Sequence, residues 1–282
     1  MKIGIVGGGV VGRATARCFI EHVEEVRVWD CVKERRTTED LDSVFESDLV
    51  FLCLPSPQKA GSMECDTLII EVFVDAIPRA WQNANIVLRS TVPVGTTRRL
   101  AEKYNLPNLV HSPEFLTARC AMTDAQLPAR NIIGYTGEAP KGRDGTWSEH
   151  EHPNQCYRVL RELYKTRFPG VSVYVMRSDE SEMVKLGLNS FFAVKVAYFN
   201  ELRTLCDARG LDWDSVLQGM LSDGRIAHAH TKVPGPDGKR GFGGACLPKD
   251  LADLIHCVET TANLAAPVMR AAYHRNEEDR KR

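Results

Sequence analysis

The six residues Gly7-Gly8-Gly9-Val10-Val11-Gly12 constrain the fold of this 282-residue chain more than any other stretch. They follow directly on an apolar run at residues 2–6, and a helical pattern at 11–21 follows them. In a strand–turn–helix of this kind Gly7 permits the tight turn. Gly9 lets a pyrophosphate approach the backbone, and Gly12 lets the helix pack closely on the strand. The helix start at Val10 and Val11 then offers unpaired N–H groups and a partial positive charge to phosphates. Alone the pattern is weak, but here it opens the chain and Asp30 ends the next strand-like run. A carboxylate at that place accepts from both ribose hydroxyls and repels a 2′-phosphate, which favours NAD over NADP. The competing role for Asp30 is that of a turn residue. Lys33, Arg35 and Arg36 keep NADP as the minority reading, with Lys33 either reaching the cofactor phosphates or solvated.

Short runs rich in Val, Ile and Leu recur at residues 2–6, 26–29, 49–54, 86–89, 109–111 and 132–135. They are apolar on both faces, as buried parallel strands are, and most gaps between them hold a crossover helix. The expected class is α/β, with an N-terminal doubly wound sheet of Rossmann type. Residues 137–155, rich in Gly, Pro and charge, read as an exposed loop before a helix at 156–166 and a strand at 171–175. A long helical pattern then runs from 179 to 209. A second helix begins near Trp213, capped by Asp212 or Asp214. The segment 233–244, with five glycines and two prolines, must be a loop. Helices resume near Lys249 and from Thr260, and the charged run 275–282 is expected to fray. The expected domains are therefore a dinucleotide-binding domain, 1–178, and an all-helical domain, 179–282, with the long helix as connecting spine.

Lys plus Arg is 36 against 37 Asp plus Glu, so nucleic acid is not the expected main partner. The nine cysteines are irregularly spaced, none in a CxxC pair, which fits reduced thiols in a cytoplasm. No apolar stretch reaches a membrane-spanning length, and no leader precedes the first strand, so a soluble cytoplasmic protein is expected. His150 with His152, and His228 with His230, form HxH pairs without convincing partners, and no metal is expected.

Six segments resemble the UDP-glucose and GDP-mannose dehydrogenase family, in family order. They are Leu54-Pro55-Ser56-Pro57, Ser90-Thr91-Val92-Pro93-Val94-Gly95-Thr96 and Ser112-Pro113-Glu114-Phe115-Leu116. A central helix follows with Glu182, Lys185, Asn189 and Asn200-Glu201, then Asp223-Gly224-Arg225-Ile226. Last and most specific is Gly241-Phe242-Gly243-Gly244-Ala245-Cys246-Leu247-Pro248-Lys249-Asp250. The resemblance implies a catalytic Cys246 and a Glu114 that acts as general base for thioester hydrolysis. It places Thr91 near the nicotinamide and the reacting water. It also implies cofactor contacts at Pro55 and Lys249, and a sugar pocket drawn from Glu114, Phe115, Leu116, Thr117, Lys185, Asn189, Arg225, Phe242 and Gly243. The family's central helix builds a dimer, so a homodimer through residues 179–209 is expected.

The chemistry of the residues agrees. A cysteine read alone is more often a structural thiol, but one in a glycine-rich loop approaches a substrate closely. A helix start and Lys249 beside it favour the thiolate. The expected reaction takes the C6 alcohol of a nucleotide-sugar, UDP-glucose first, to the acid through a thiohemiacetal and a thioester on Cys246. Lys185 and Asn189, four apart, share a helix face. Lys185 can stabilise charge on the C6 oxygen, Asn189 can hold that oxygen or a water, and Asp250 can pair with Lys185 and move protons. Isolated, Lys185 reads as a solvated charge, and Glu114 and Thr91 as strand-end turn residues.

The chain departs from the family at Ala118, where relatives carry a second glutamate, and the segment after Asp30 is short. The family's third, C-terminal domain has no counterpart in this sequence, and the insert 234–240 resembles compact phage-type members that lack it. Arg225, Lys232, Lys239 and Arg240 can supply phosphate contacts in its place. Two other functions stand beside the first. One is a two-electron β-hydroxyacid dehydrogenase, which needs no cysteine; the other is a non-catalytic binder of NAD or nucleotide-sugar.

Overall fold

A computed structural model describes residues 1–117, 119–137 and 153–281. In chain order the elements are β1 (Lys2–Val6), α1 (Val10–Phe19), β2 (Glu25–Trp29), α2 (Asp42–Phe45), β3 (Leu49–Leu52) and α3 (Leu68–Asp75). They continue with β4 (Ile86–Leu88), α4 (Thr96–Lys103), β5 (Leu109–His111), α5 (Ala121–Gln126), β6 (Asn131–Tyr135), α6 (Gln155–Arg167) and β7 (Val173–Arg177). The helices α7 (Ser178–Arg209), α8 (Trp213–Leu221), α9 (Leu247–His256) and α10 (Pro267–Asp279) complete the chain. Contacts divide it into two compact units. The first holds Met1–Ser56 and Asp66–Lys185; the second holds Pro57–Cys65 and Leu186–Arg282. The sequence-based boundary at 178/179 falls at the start of α7, whereas contacts divide inside that helix, and the short segment after β3 joins the helical unit. Among the described residues no helix is long and apolar enough to cross a membrane.

The first unit is a seven-stranded sheet in the order β2-β1-β3-β4-β5-β6-β7. Its strands are apolar on both faces because both are covered: Leu49, Val50, Phe51 and Leu52 are all fully buried. One face packs on α1 and α6 through Phe19, Phe51, Tyr157, Leu160 and Tyr164. The other packs Val44, Phe45, Ile70, Val74 and Leu100. The strand order reverses at β1, whose neighbours are β2 and β3, and ligands of doubly wound sheets bind at the carboxyl ends of such a switch point. Gly7 donates its N–H to Trp29 O (2.8 Å), and Cys53 donates to Val6 O (2.8 Å), so the two turns leave the sheet side by side.

β6 pairs antiparallel with β5 and parallel with β7, which corrects the all-parallel expectation. Burial on both faces does not report direction. The chain between β5 and β6 forms only the six-residue α5, which packs on α1 and does not cross the sheet. β3 ends at Leu52, two residues early, and the Ser90 hydroxyl donates to Leu54 O (2.6 Å) where the ladder has stopped. Asn154 caps α6 by accepting from Tyr157 N (2.9 Å). The expected loop at 137–155 lies mostly outside the described residues, as do His150, His152 and Ala118.

In the second unit Ala193, Ala197, Phe242, Leu251, Ile255 and Ala272 form one core. Phe199, Cys206, Trp213 and Val233 form another. Asp212, not Asp214, caps α8 by accepting from Ser215 N (3.0 Å). The last helix begins at Pro267 rather than Thr260, after a π-helical turn at Cys257–Thr261. The run expected to fray is helical through Asp279, which is buried and ion-paired with Arg275 at 2.9 Å.

Candidate active site

The backbone demands of the glycine turn are met. Gly7 has φ +99°, and a Cβ there would stand 2.3 Å from Cys53 O. A Cβ on Gly12 would stand 1.8 Å from Gly7 O, so only glycine lets α1 meet β1 this closely. At Gly9 a Cβ would meet nothing within 4 Å, so the space beside this glycine is open. Val10 is exposed and Val11 half-buried, with Val11 O accepting from the Thr15 hydroxyl (2.9 Å). Asp30, 7% exposed, accepts from Gly8 N (2.6 Å) and Val32 N (2.8 Å). Burial works to raise its pKa, but those two N–H bonds outweigh it and hold the carboxyl below its ordinary value. An open glycine, an unblocked helix start and an ionised aspartate at the end of β2 are what a dinucleotide's pyrophosphate and ribose need, and the residues fit NAD.

Lys33 is exposed in a 3-10 turn, and Arg36 is tied to Glu39 and stacked on Trp29 at 5.3 Å. Pro55 is exposed at the carboxyl end of β3. Beside it the Ser56 hydroxyl donates to Thr91 O (2.6 Å), which ties the turn after β3 to the turn after β4.

Glu114 follows β5 and is buried. Its Oε1 lies 2.9 Å from Lys185 Nζ, and its Oε2 accepts from Leu116 N (2.5 Å). The Phe115 ring carries the Arg130 guanidinium at 4.1 Å and the Lys185 ammonium at 5.6 Å. Thr117 N donates to Asp124 (2.7 Å). Behind this loop is a cavity of about 270 Å³, lined among others by Arg89, Glu114, Phe115, Arg130 and Tyr164. Arg89 donates to Ser112 O (3.1 Å) and to the Tyr164 hydroxyl (3.0 Å). Sequence reading passed over Arg89, Asp124, Arg130 and Tyr164, because each belongs to an otherwise ordinary strand end, helix or loop.

Glu182, one turn before Lys185, was read only as a family match, and its role is now clear. It accepts from Gly95 N (2.5 Å), Thr97 N (2.7 Å) and the Thr97 hydroxyl (2.5 Å). It therefore caps α4 and fixes the end of the Ser90–Thr96 segment from α7. Burial pushes its pKa up to about 7, against those three bonds.

In the second unit Cys246 is exposed and stands immediately before the first residue of α9. Asp250, one turn into that helix and buried, takes Lys249 Nζ at 2.6 Å and Asn189 Nδ2 at 2.5 Å. Within the second unit Asp250 is thus held by Lys249 and Asn189, and within the first Lys185 is paired with Glu114. Burial opposes the charge of Lys249, but the Asp250 carboxylate prevails and raises its pKa; its Nζ also stands 3.9 Å from Cys65 Sγ. Phe242, expected at the sugar, is 3% exposed in the core, because its ring fills the space between α7, α9 and α10. Gly243 lies under Arg280, and Arg225 is exposed and forked on Asp223 (2.5 and 2.7 Å). Arg240, offered for phosphate, is tied to Asp207 and Thr204, and His230 stacks on Phe192 at 4.2 Å.

The family model described as UDP-glucose/GDP-mannose dehydrogenase family, NAD binding domain, matches residues 31–166. The one described as that family's central domain matches 179–278. A UDP-glucose 6-dehydrogenase of Campylobacter jejuni is 28% identical over 284 residues, covering 90% of this chain and 67% of that protein. A solved UDP-glucose dehydrogenase from Pyrobaculum islandicum superposes with a TM-score of 0.80 at 23% identity, over 98% of this chain and 68% of that one. A 3-hydroxyisobutyrate dehydrogenase of Mycobacterium tuberculosis shares the fold, with a TM-score of 0.70 at 18% identity over 97% and 91% of the two chains. The chain spans about two thirds of the length of the first two relatives. With the NAD-binding cradle and both family domains matched in order, the chain belongs to the UDP-glucose/GDP-mannose dehydrogenase family of NAD-dependent nucleotide-sugar dehydrogenases.

Proposed function

We propose that this protein oxidises the C6 alcohol of a nucleotide-sugar to the carboxylate in two steps, with Cys246 as nucleophile and UDP-glucose as the first substrate to try. NAD, when bound, accepts a hydride in each step. In the first, the alcohol loses a hydride from carbon and a proton from oxygen and becomes the aldehyde. The Cys246 thiolate adds to that aldehyde, and the hydroxyl of the resulting thiohemiacetal loses a proton as its carbon gives up the second hydride. The product is a thioester. Water, deprotonated by Glu114, adds to the thioester carbonyl, and the thiolate leaves with release of the acid. Each sugar consumes two NAD and one water.

Lys185 supplies positive charge for the developing oxyanion, Asn189 supplies an amide donor, and Asp250 holds Asn189 and Lys249 in place. Arg225, Phe242 and Gly243 enter this reading only through backbone groups or after Arg225 leaves Asp223. The observation that carries the reading is the exposed sulfur at the start of a ten-residue helix, beside the Lys249–Asp250–Asn189 chain. Amides at a helix start favour an anionic sulfur, and an alcohol oxidation that stops at the carbonyl requires no such nucleophile. We also propose a homodimer through α7.

The test is a panel of nucleotide-sugars with NAD, scored as NADH formed per sugar. Two per sugar are expected, and one per sugar would point to a β-hydroxyacid-type oxidation. Cys246→Ser is expected to abolish acid formation. Acid released by that variant at the normal rate would overturn the covalent mechanism.

A further inference from the structure

The charged end of the chain is fastened to the loop that carries Cys246. Asn276 of α10 accepts from Phe242 N (2.6 Å), and Asn200 of α7 accepts from the preceding amide, Gly241 N (3.0 Å). Gly241 has φ +72°, and a Cβ there would fall 2.4 Å from Asn276 Oδ1, so the approach of the asparagine requires a glycine. Arg280 closes over Gly243, where a Cβ would be 2.7 Å from its Nη2, and reaches Asp237 (2.7 Å) at the far side of the loop. Both clamps are themselves held. Asn200 donates to Val196 O (2.8 Å). On α10, Arg275 is locked to Asp279 (2.9 Å) and to the Thr204 hydroxyl (2.7 Å).

We propose that Asn276 and Asn200 are positioning residues for Cys246. Glycine-rich backbone has many conformations to lose, and two consecutive amides pinned from two helices remove most of them. The Phe242 ring, buried in the core between α7, α9 and α10, makes the same point a fixed anchor. From that anchor only Gly243, Gly244 and Ala245 lead to the sulfur, and beyond it α9 is held by the Asn189–Asp250 bond. The thiol thus sits on a short span tied at both ends. Trapping an aldehyde before it diffuses away depends on such placement, since a displacement of about 1 Å costs roughly a hundredfold in rate.

The inference rests on the reading of Cys246 as nucleophile, and its test separates the two. Asn276→Leu and Asn200→Leu keep the branched outline of the side chain, though in a larger volume, and remove the acceptor. With full-length protein, NADH per sugar and aldehyde released into a semicarbazide trap are measured together. Both variants are expected to form fewer than two NADH per sugar and to release trapped aldehyde, with kcat for acid formation reduced ten- to a hundredfold and the KM for NAD unchanged. Asn276→Asp, which restores an acceptor, is expected to recover most of the loss. A merely structural role would lower the amount of active enzyme and leave the stoichiometry at two with no aldehyde. That result overturns the clamp. If Asn276→Leu does not fold, Arg280→Ala, which uncovers Gly243 from the protein surface, is expected to leak aldehyde in the same assay, and a stoichiometry of two from it overturns the proposal. If Cys246→Ser still makes acid, the nucleophile is wrong; if it does not, and the asparagine variants leak nothing, only the clamp is wrong.

Discussion

Lys185 Nζ and Glu114 Oε1 are 2.9 Å apart, with side chains only 5% and 10% exposed. A buried pair of this kind is expensive to break from one side, because the survivor keeps its charge without its partner; one-sided removal costs about 3–5 kcal/mol. Lys185→Met is therefore expected to lower stability by several kcal/mol in urea unfolding and to abolish turnover. Glu114→Gln keeps an oxygen for Leu116 N but leaves the buried Lys185 ammonium without its counter-charge, so a similar loss of stability is expected beside the loss of the base. It is expected to fold, to form two NADH rapidly, and then to stall as an acylated enzyme visible by intact mass. Fast steady turnover by Glu114→Gln would remove Glu114 from the hydrolytic step.

Glu182 gives the pH dependence of the fold a specific source. Its carboxyl has an ordinary value of 4.5 and is pushed up to about 7 by burial, with Asp179 adding to the rise. A carboxyl with a raised folded pKa binds its proton more tightly in the folded chain than in the unfolded one. Its contribution is present in full below about pH 4.5 and is lost as pH climbs to about 7, by up to about 3 kcal/mol. Unfolding free energies of wild type and Glu182→Gln at pH 5, 6 and 8 check this. The gap between the two is expected to change across the window in the direction of a falling wild type. Parallel curves would mean that Glu182 titrates elsewhere.

Asp30 tests the cofactor. Its ionised carboxyl is aimed by Gly8 N and Val32 N. An asparagine in its place would keep an acceptor for Gly8 while losing the charge that repels a 2′-phosphate. Asp30→Asn is expected to raise the KM for NAD about tenfold and to narrow the preference over NADP by a similar factor, because one charged hydrogen-bonding group changes binding by about 1.5–3 kcal/mol. An unchanged NAD to NADP ratio of kcat/KM would show that Asp30 serves the turn alone.

These residues differ in how far the sequence announces them. Gly7, Gly12 and Asp30 are legible because the demand on each is local: a turn, a close helix and a strand end, all near the start of the chain. The proposal for Cys246 comes from ten consecutive residues, and the structure adds that the thiol is exposed at the start of α9. The Lys185–Glu114 pair is not legible, since its members lie 71 positions apart and nothing in either segment names the other. The direction of β6 was misread because a strand buried on both faces has the same composition whichever way it runs. The end of α10 was misread because Arg275, Asn276, Asp279 and Arg280 look solvated in one dimension, while in three they are spent on α7 and the glycine loop.

The spacing of exposed apolar residues on α7 supplies the last prediction. Phe191, Tyr198 and Leu205 are 59%, 53% and 57% exposed, and they recur every seventh residue. That interval returns to nearly the same side of a helix after two turns, so the three form one stripe. Large apolar side chains aligned this way lose about 25 cal/mol for each Å² left in water, which a second copy of the helix would recover. A pair of charges placed in the stripe cannot be buried without a partner. Phe191→Glu and Tyr198→Glu together are therefore expected to convert a dimer to a monomer in sedimentation, with the far-ultraviolet spectrum unchanged because the stripe contributes little to the chain's own core. A wild type that sediments as a monomer at about 50 μM, a concentration at which even a weak interface of micromolar affinity is mostly filled, would rule out this face as the dimer contact.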